Sequence, residues 1–311
     1  MSLFAPFRIV LMALVVAMTL NAAALAEPVE EAMAAYKRGD YATALRILRP
    51  LANDGDRVAQ FNLGVMYGNG NGVRQDYAEA IRWYRKAADQ GLADAQSSLA
   101  HLYAFGEGMP QNYVEATKWF RKAADQGNVE AQIELGALYA HGEGVPQDYA
   151  EAMRWYGRAA DQGSIPAQNE LGAMYARGEG VPQNLPEAAK WYTKAADQGS
   201  AKAQLRLGVI YSDGKGVPRD SARAAEWFRK AADQGDAQAQ FNLAVMYGYG
   251  EGVPQDYVEA YKWFSLAATH YQTFEVEARD KALRARDAVA SKMNAVQIAE
   301  AQRLAGQWKP Q

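Results

Sequence analysis

The stretch from Asn128 to Gly163, NVEAQIELGALYAHGEGVPQDYAEAMRWYGRAADQG, decides the fold. It is one copy of a unit that recurs along the chain. Trp83, Trp119, Trp155, Trp191, Trp227 and Trp263 each stand 36 residues from the next. Leucines step with them (Leu63, Leu99, Leu135, Leu171, Leu207, Leu243), and so do tyrosines (Tyr67, Tyr103, Tyr139, Tyr175, Tyr211, Tyr247). A fixed period of this size marks a stacked-repeat architecture, in which each unit buries its apolar face against its neighbours.

Within the quoted unit, Gln132, Leu135, Gly136 and Tyr139 fall at i, i+3, i+4 and i+7, one face of a helix. Gly142 and Gly144 end that helix, since glycine accepts the positive φ found past a helix terminus. Pro146 keeps the preceding residue extended. Asp148 then restarts helix, with Glu151 three residues on in capping-box spacing. The pair recurs as Asp76/Glu79, Asn112/Glu115, Asn184/Glu187 and Asp256/Glu259, with Asp220/Arg223 departing. Each cap contributes about 1 kcal/mol and helps to set where a second helix begins. Ala152, Trp155, Tyr156, Ala159 and Ala160 form the expected buried stripe of that helix, and Gly163 closes it. Gly64, Gly136, Gly172 and Gly208, with Ala100 and Ala244 in the same column, predict close helix contact.

The expected fold is therefore all-α: a solenoid of 36-residue helix-loop-helix repeats. Six units are assigned to 56–91, 92–127, 128–163, 164–199, 200–235 and 236–271. Residues 27–55 read as a shortened, degenerate repeat with a helix over 30–37, as terminal repeats are atypical. Residues 272–311 read as a helical cap in which Asn294 and Gln297 open the last helix. Asp280, Arg284, Arg286 and Asp287 read as the solvated face of the helix before it.

The first 26 residues differ from the rest. Arg8 is their single charged side chain, an apolar run follows over 9–20, and Ala24-Leu25-Ala26 supplies an A-x-A end. That is the layout of a secretory signal peptide, with cleavage after Ala26 and a periplasmic or secreted product. An uncleaved anchor is the competing reading, and transient membrane association follows only from it. The chain has no cysteine, which excludes disulfides, thiolate metal sites and cysteine nucleophiles. A net charge of −3, becoming −4 without Arg8, lacks the concentrated basic face that nucleic acid requires.

These residues resemble the Sel-one-like repeat (SLR) family, relatives of the tetratricopeptide repeats. The motif A-Q-x-x-L-G-x-x-Y appears as Ala131–Tyr139, G-x-G-V-P-Q-D as Gly142–Asp148 and E-A-x-x-W-Y-x-x-A-A-D-Q-G as Glu151–Gly163. The closing segment also looks like tails of exported bacterial members. The resemblance implies a right-handed α/α superhelix acting as an adaptor or scaffold for protein contacts in the bacterial envelope. It also implies an alternative, an envelope enzyme or a β-lactam or peptidoglycan binder like the cysteine-rich branch, whose paired cysteines are missing here.

Positions that vary between otherwise fixed units are free for recognition. In first helices three columns vary: Phe61, Ser97, Ile133, Asn169, Leu205, Phe241; then Asn62, Ser98, Glu134, Glu170, Arg206, Asn242; then Asn69, Phe105, His141, Arg177, Asp213, Tyr249. In tetratricopeptide-like stacks the first helix lines the concave surface. The predicted partner groove accordingly comprises Phe61, Phe105, Glu134, His141, Glu170, Arg177, Arg206, Asp213, Phe241 and Tyr249, taking a protein or peptide segment. No cofactor, metal or catalytic site is expected. His101, His141 and His270 are far apart, the serines sit in no nucleophile elbow, and the G-x-G pairs follow helices rather than strands.

Overall fold

The computed structural model describes residues 23–310, with side chains from Pro28 onward. The expected signal segment lies almost entirely outside these residues. Every regular element described is an α-helix. The chain divides between Arg158 and Ala159 into two compact units. The first contains α1 (Ala23–Lys37), α2 (Tyr41–Asn53), α3 (Arg57–Asn69), α4 (Tyr77–Asp89), α5 (Ala93–Phe105), α6 (Tyr113–Asp125), α7 (Val129–His141) and most of α8 (Tyr149–Asp161). The second continues with α9 (Ile165–Arg177), α10 (Leu185–Asp197), α11 (Ala201–Asp213), α12 (Ser221–Asp233), α13 (Ala237–Tyr249), α14 (Tyr257–His270), α15 (Val276–Ala290) and α16 (Ala295–Gln307).

Within each unit successive helices pack on one another, hairpin against hairpin, as a solenoid of tandem repeats requires. α1 is longer than the 30–37 expected. It begins among alanines, the strongest helix formers, and carries Pro28 inside it. No described helix is long and apolar enough to cross a membrane.

The cores follow the sequence period. Leu63, Leu99, Leu135, Leu171, Leu207 and Leu243 are at most 3% exposed. The tryptophans are less uniform: Trp119, Trp155 and Trp263 are buried, while Trp83, Trp191 and Trp227 are half-buried. A feature absent from the sequence reading accounts for the remaining exposure. Three residues after five of the six tryptophans comes a lysine or arginine that lies over the indole. Lys86 is 4.1 Å from the Trp83 ring centroid, Lys122 3.8 Å from Trp119, Arg158 4.6 Å from Trp155, Lys194 3.8 Å from Trp191 and Lys230 4.0 Å from Trp227. These side chains shield the ring with their stems and hold their charge over its face.

A second periodic device joins the hairpins. In each repeat a buried glutamine donates to a carbonyl at the end of the preceding helix: Gln60 to Ala52 at 3.0 Å, Gln96 to Ala88 at 3.1 Å, Gln204 to Ala196 at 3.2 Å and Gln240 to Ala232 at 3.0 Å. Its oxygen accepts from the glutamine of the D-Q-G turn, as from Gln90, Gln126, Gln198 and Gln234 at 2.7–2.8 Å. The turn glutamine is thus a structural partner. In the last repeat His270 replaces it, with Nδ1 2.8 Å from Oε1 of Gln240. Because the Gln240 amide nitrogen already donates to Ala232, that oxygen accepts and the His270 proton sits on Nδ1.

The capping residues behave as expected on one side only. Asp76 accepts from the amides of Ala78 and Glu79, Asp148 and Asp256 do the equivalent, and Asn184 accepts from that of Glu187 alone. The reciprocal half of the expected capping box is absent from the repeats. The amide it would satisfy is already used, since Asp76, Asn112, Asp148, Asn184, Asp220 and Asp256 each donate it to the repeat tyrosine's carbonyl in the preceding helix. The freed glutamates pair instead with Arg82, Lys118, Arg154, Lys190 and Lys262. A full capping box forms at Asn294/Gln297, opening α16, where no tyrosine carbonyl competes. In the links, Gly144 has φ of 71°, and a Cβ there would lie 2.3 Å from the Tyr113 carbonyl oxygen, so glycine alone fits.

Candidate partner-binding faces

In the first unit, the first helices α5 and α7 lie side by side and bring His101 to Glu130, with Nε2 3.3 Å from the carboxylate. The pair stands within hydrogen-bonding distance, although the buried nitrogen is not aligned on the carboxylate. His101 also stacks on Phe105 at 5.9 Å and meets Phe120 edge-on at 4.9 Å. Burial pushes the imidazole pKa down, but Glu130, Glu134 and Glu107 outweigh it and leave the value raised. Glu130 is lowered, chiefly by His101, while burial raises the carboxyl of Glu134.

Of the sequence-predicted residues here, Phe105 is 43% exposed and His141 is exposed at the end of α7. Glu134 is half-buried beside His101. Phe61 is not available as an anchor. It is 4% exposed, packed 5.7 Å from the Tyr84 ring.

In the second unit, Arg177, Arg206, Asp213 and Tyr249 are exposed, Tyr249 at 74%. Arg177 is engaged by Glu179 at 2.6 Å, Glu170 by Lys202 of the next first helix at 2.9 Å and Asp213 by Lys215 at 3.0 Å. Phe241 is 8% exposed and meets Phe264 edge-on at 5.3 Å. Phe61, Ser97, Asn169 and Phe241 of the first column and Asn62 and Ser98 of the second are buried, so their variation reflects local repacking, whereas Glu134, Glu170 and Asn242 are half-buried and Arg206 is exposed. The helix-end column is exposed at every repeat.

This unit also holds a cavity of about 610 Å³. α11 and α13 supply Asp213, Asn242, Val245 and Tyr249, and α15 supplies Lys281, Ala285 and Ala288. α15 was expected only to close the end of the array. Its cavity-lining residues 281, 285 and 288, with Lys292 just past its end, keep helical spacing, a signal the sequence did contain. Arg286, expected on the solvated face, is half-buried with its guanidinium 5.7 Å from the Tyr261 ring. Among the described residues, no three His, Cys, Asp or Glu side chains converge as a metal site.

Tandem helical hairpins with fixed cores and varied helix ends define a repeat protein of the protein-interaction class. The Sel1 repeat model matches residues 57–92, 93–128, 129–164, 165–200, 201–236 and 237–270, one residue later at each start than the units assigned from sequence. The chain belongs to the Sel1 repeat family, whose members are generally protein-interaction scaffolds. It is 34% identical to a protective antigen present in uropathogenic Escherichia coli strains that displays an SLR fold, with a TM-score of 0.77. That match covers 91% of this chain and 60% of the antigen's, so this chain spans under two thirds of that relative. A Sel1 repeat protein from Oxalobacter formigenes is 38% identical over 78% of this chain and 99% of its own, with a TM-score of 0.67. Among curated proteins no sequence matches.

Proposed function

We infer that the protein is an exported, non-enzymatic adaptor of the bacterial cell envelope that captures segments of partner proteins on the first-helix faces of its repeats. The observation that carries this reading is the helix-end column. Its side chains differ from repeat to repeat as Phe105, His141, Arg177, Asp213 and Tyr249, and all five are exposed on a scaffold whose repeated leucines and glutamines are held by packing. Aromatic and arginine side chains among polar neighbours are what protein interfaces favour. Export is supported by the leader-like composition of residues 1–26.

Site-specific photocrosslinking from positions 105, 177 and 249 in the native envelope, read by mass spectrometry, tests the reading. A defined partner should crosslink, and alanine at Arg177 and Tyr249 should weaken its capture without altering the fold. Unchanged capture by that double variant would overturn the assignment of this face. The intact mass of the cellular protein should equal that of residues 27–311.

A further inference from the structure

We propose that the cavity beside α15 binds the free carboxyl terminus of a partner protein whose last side chain is large and apolar. The inference rests on the adaptor reading and gives one of its faces a ligand chemistry.

The cavity's volume, about 610 Å³, suits a terminal residue or two, within the range of small-ligand sites. Its apolar lining comes from Phe228, Phe241, Val245, Met246 and Phe264. On the facing helix Ala285 and Ala288 fill little space, which leaves room above that floor. An apolar side chain is therefore one half of the fit.

Charge supplies the other half. Lys281 and Lys292 both line the cavity, and neither has a carboxylate within ion-pair reach among the described residues. Lys281 lies 5.1 Å from the Phe241 ring centroid and Lys292 5.3 Å from that of Tyr257. The acids at the cavity are already matched: Asp213 holds Lys215 at 3.0 Å, and Glu251 holds Arg219 at 3.6 Å. The uncompensated charge facing the space is thus positive, poised over aromatic rings at the edge of an apolar floor. A carboxylate attached directly to an apolar group complements both features.

The polar groups favour a peptide over an acyl chain. Asn242 accepts from Gln238 at 3.1 Å through Oδ1, which leaves its amide hydrogens for a ligand, and the Ser212 hydroxyl lines the same space. A peptide backbone has groups to meet them, whereas a hydrocarbon chain would leave them dry.

The test uses the full chain and a fluorescent pool of short peptides, randomised upstream of a terminal Leu or Phe. One pool carries a free carboxylate and the other a terminal amide. The free acid should bind and the amide should bind roughly tenfold or more weakly, as expected for losing a charge-assisted contact. The double variant K281Q/K292Q should reduce acid-pool binding to the amide level with an unchanged melting temperature, both side chains being exposed. Equal binding of acid and amide, no binding of either, or undiminished binding by the double variant would each overturn the proposal. Displacement of the acid pool by micromolar dodecanoate would overturn it in favour of a fatty acid. Crosslinked partners persisting at 105, 177 and 249 while the peptide pools fail would remove this ligand and leave the adaptor reading standing.

Discussion

Gly136 lies directly beneath the ring of Tyr156: a Cβ built on it would stand 2.9 Å from Cε1. The same closeness recurs at Gly64 with Tyr84, Gly172 with Tyr192 and Gly208 with Phe228. Tyr156 is 5% exposed and has no free side to move into. Gly136→Val should therefore destabilise the protein by about 1–3 kcal/mol through overpacking. Chemical denaturation compared with wild type measures it, and an unshifted midpoint would show that the hairpin can open at no cost.

Truncating a fully buried tryptophan should cost more. Trp155 is 1% exposed, with Arg158, Arg154 and Arg121 arranged about its ring. Trp155→Ala should cost roughly 3–5 kcal/mol by leaving a cavity in the middle of the array. A loss below about 1 kcal/mol in urea unfolding would mean that the arginines collapse into the gap.

The glutamine relay makes a separate prediction. Gln204, 4% exposed, links the Ala196 carbonyl to the side chain of Gln234. Gln204→Leu keeps the volume but removes both side-chain bonds, while the Ala196 carbonyl keeps the Gly199 amide at 2.9 Å, so the cost should be about 0.5–1.5 kcal/mol per bond lost. Thermal unfolding of the variant checks it. Stability equal to wild type would mean that the bonds to Ala196 and Gln234 add nothing to the folded state.

The His101–Glu130 pair makes stability depend on pH in two directions. The folded imidazole has a raised pKa. Its contribution is complete below the unfolded value, about 6.5, and is lost as pH rises through the higher folded value. Glu130 has a lowered pKa. Its contribution is present above the unfolded value, about 4.3, and fades as pH falls through the folded one. The melting temperature should decline as pH is raised from about 6.5 into the mildly alkaline range, and His101→Gln should flatten that decline. Parallel curves for variant and wild type would exclude the pair as its source.

The 36-residue spacing was sufficient to read the repeats, the glycine–proline links and the buried leucines, because every copy meets the same packing demand and so repeats the same residues. It did not show which half of each capping box would form. Sequence places Glu151 three residues after Asp148, but the Asp148 amide is taken by the Tyr139 carbonyl, a contact made across the link. Nor did it separate Phe241 from Tyr249 as candidate anchors. Both are aromatic, vary between repeats and lie on one helix, yet one is 8% exposed against Phe264 and the other 74% exposed.

Local periodicity thus determined the class of fold and the family, since helix formation and hairpin stacking depend on near neighbours. The candidate sites belong to a longer range. His101 meets Glu130 from the next first helix, and Lys281 reaches Phe241 from a helix outside the repeats. Whether a varied side chain ends in solvent or in a neighbour's core depends on what packs over it, and only the tertiary structure decides that.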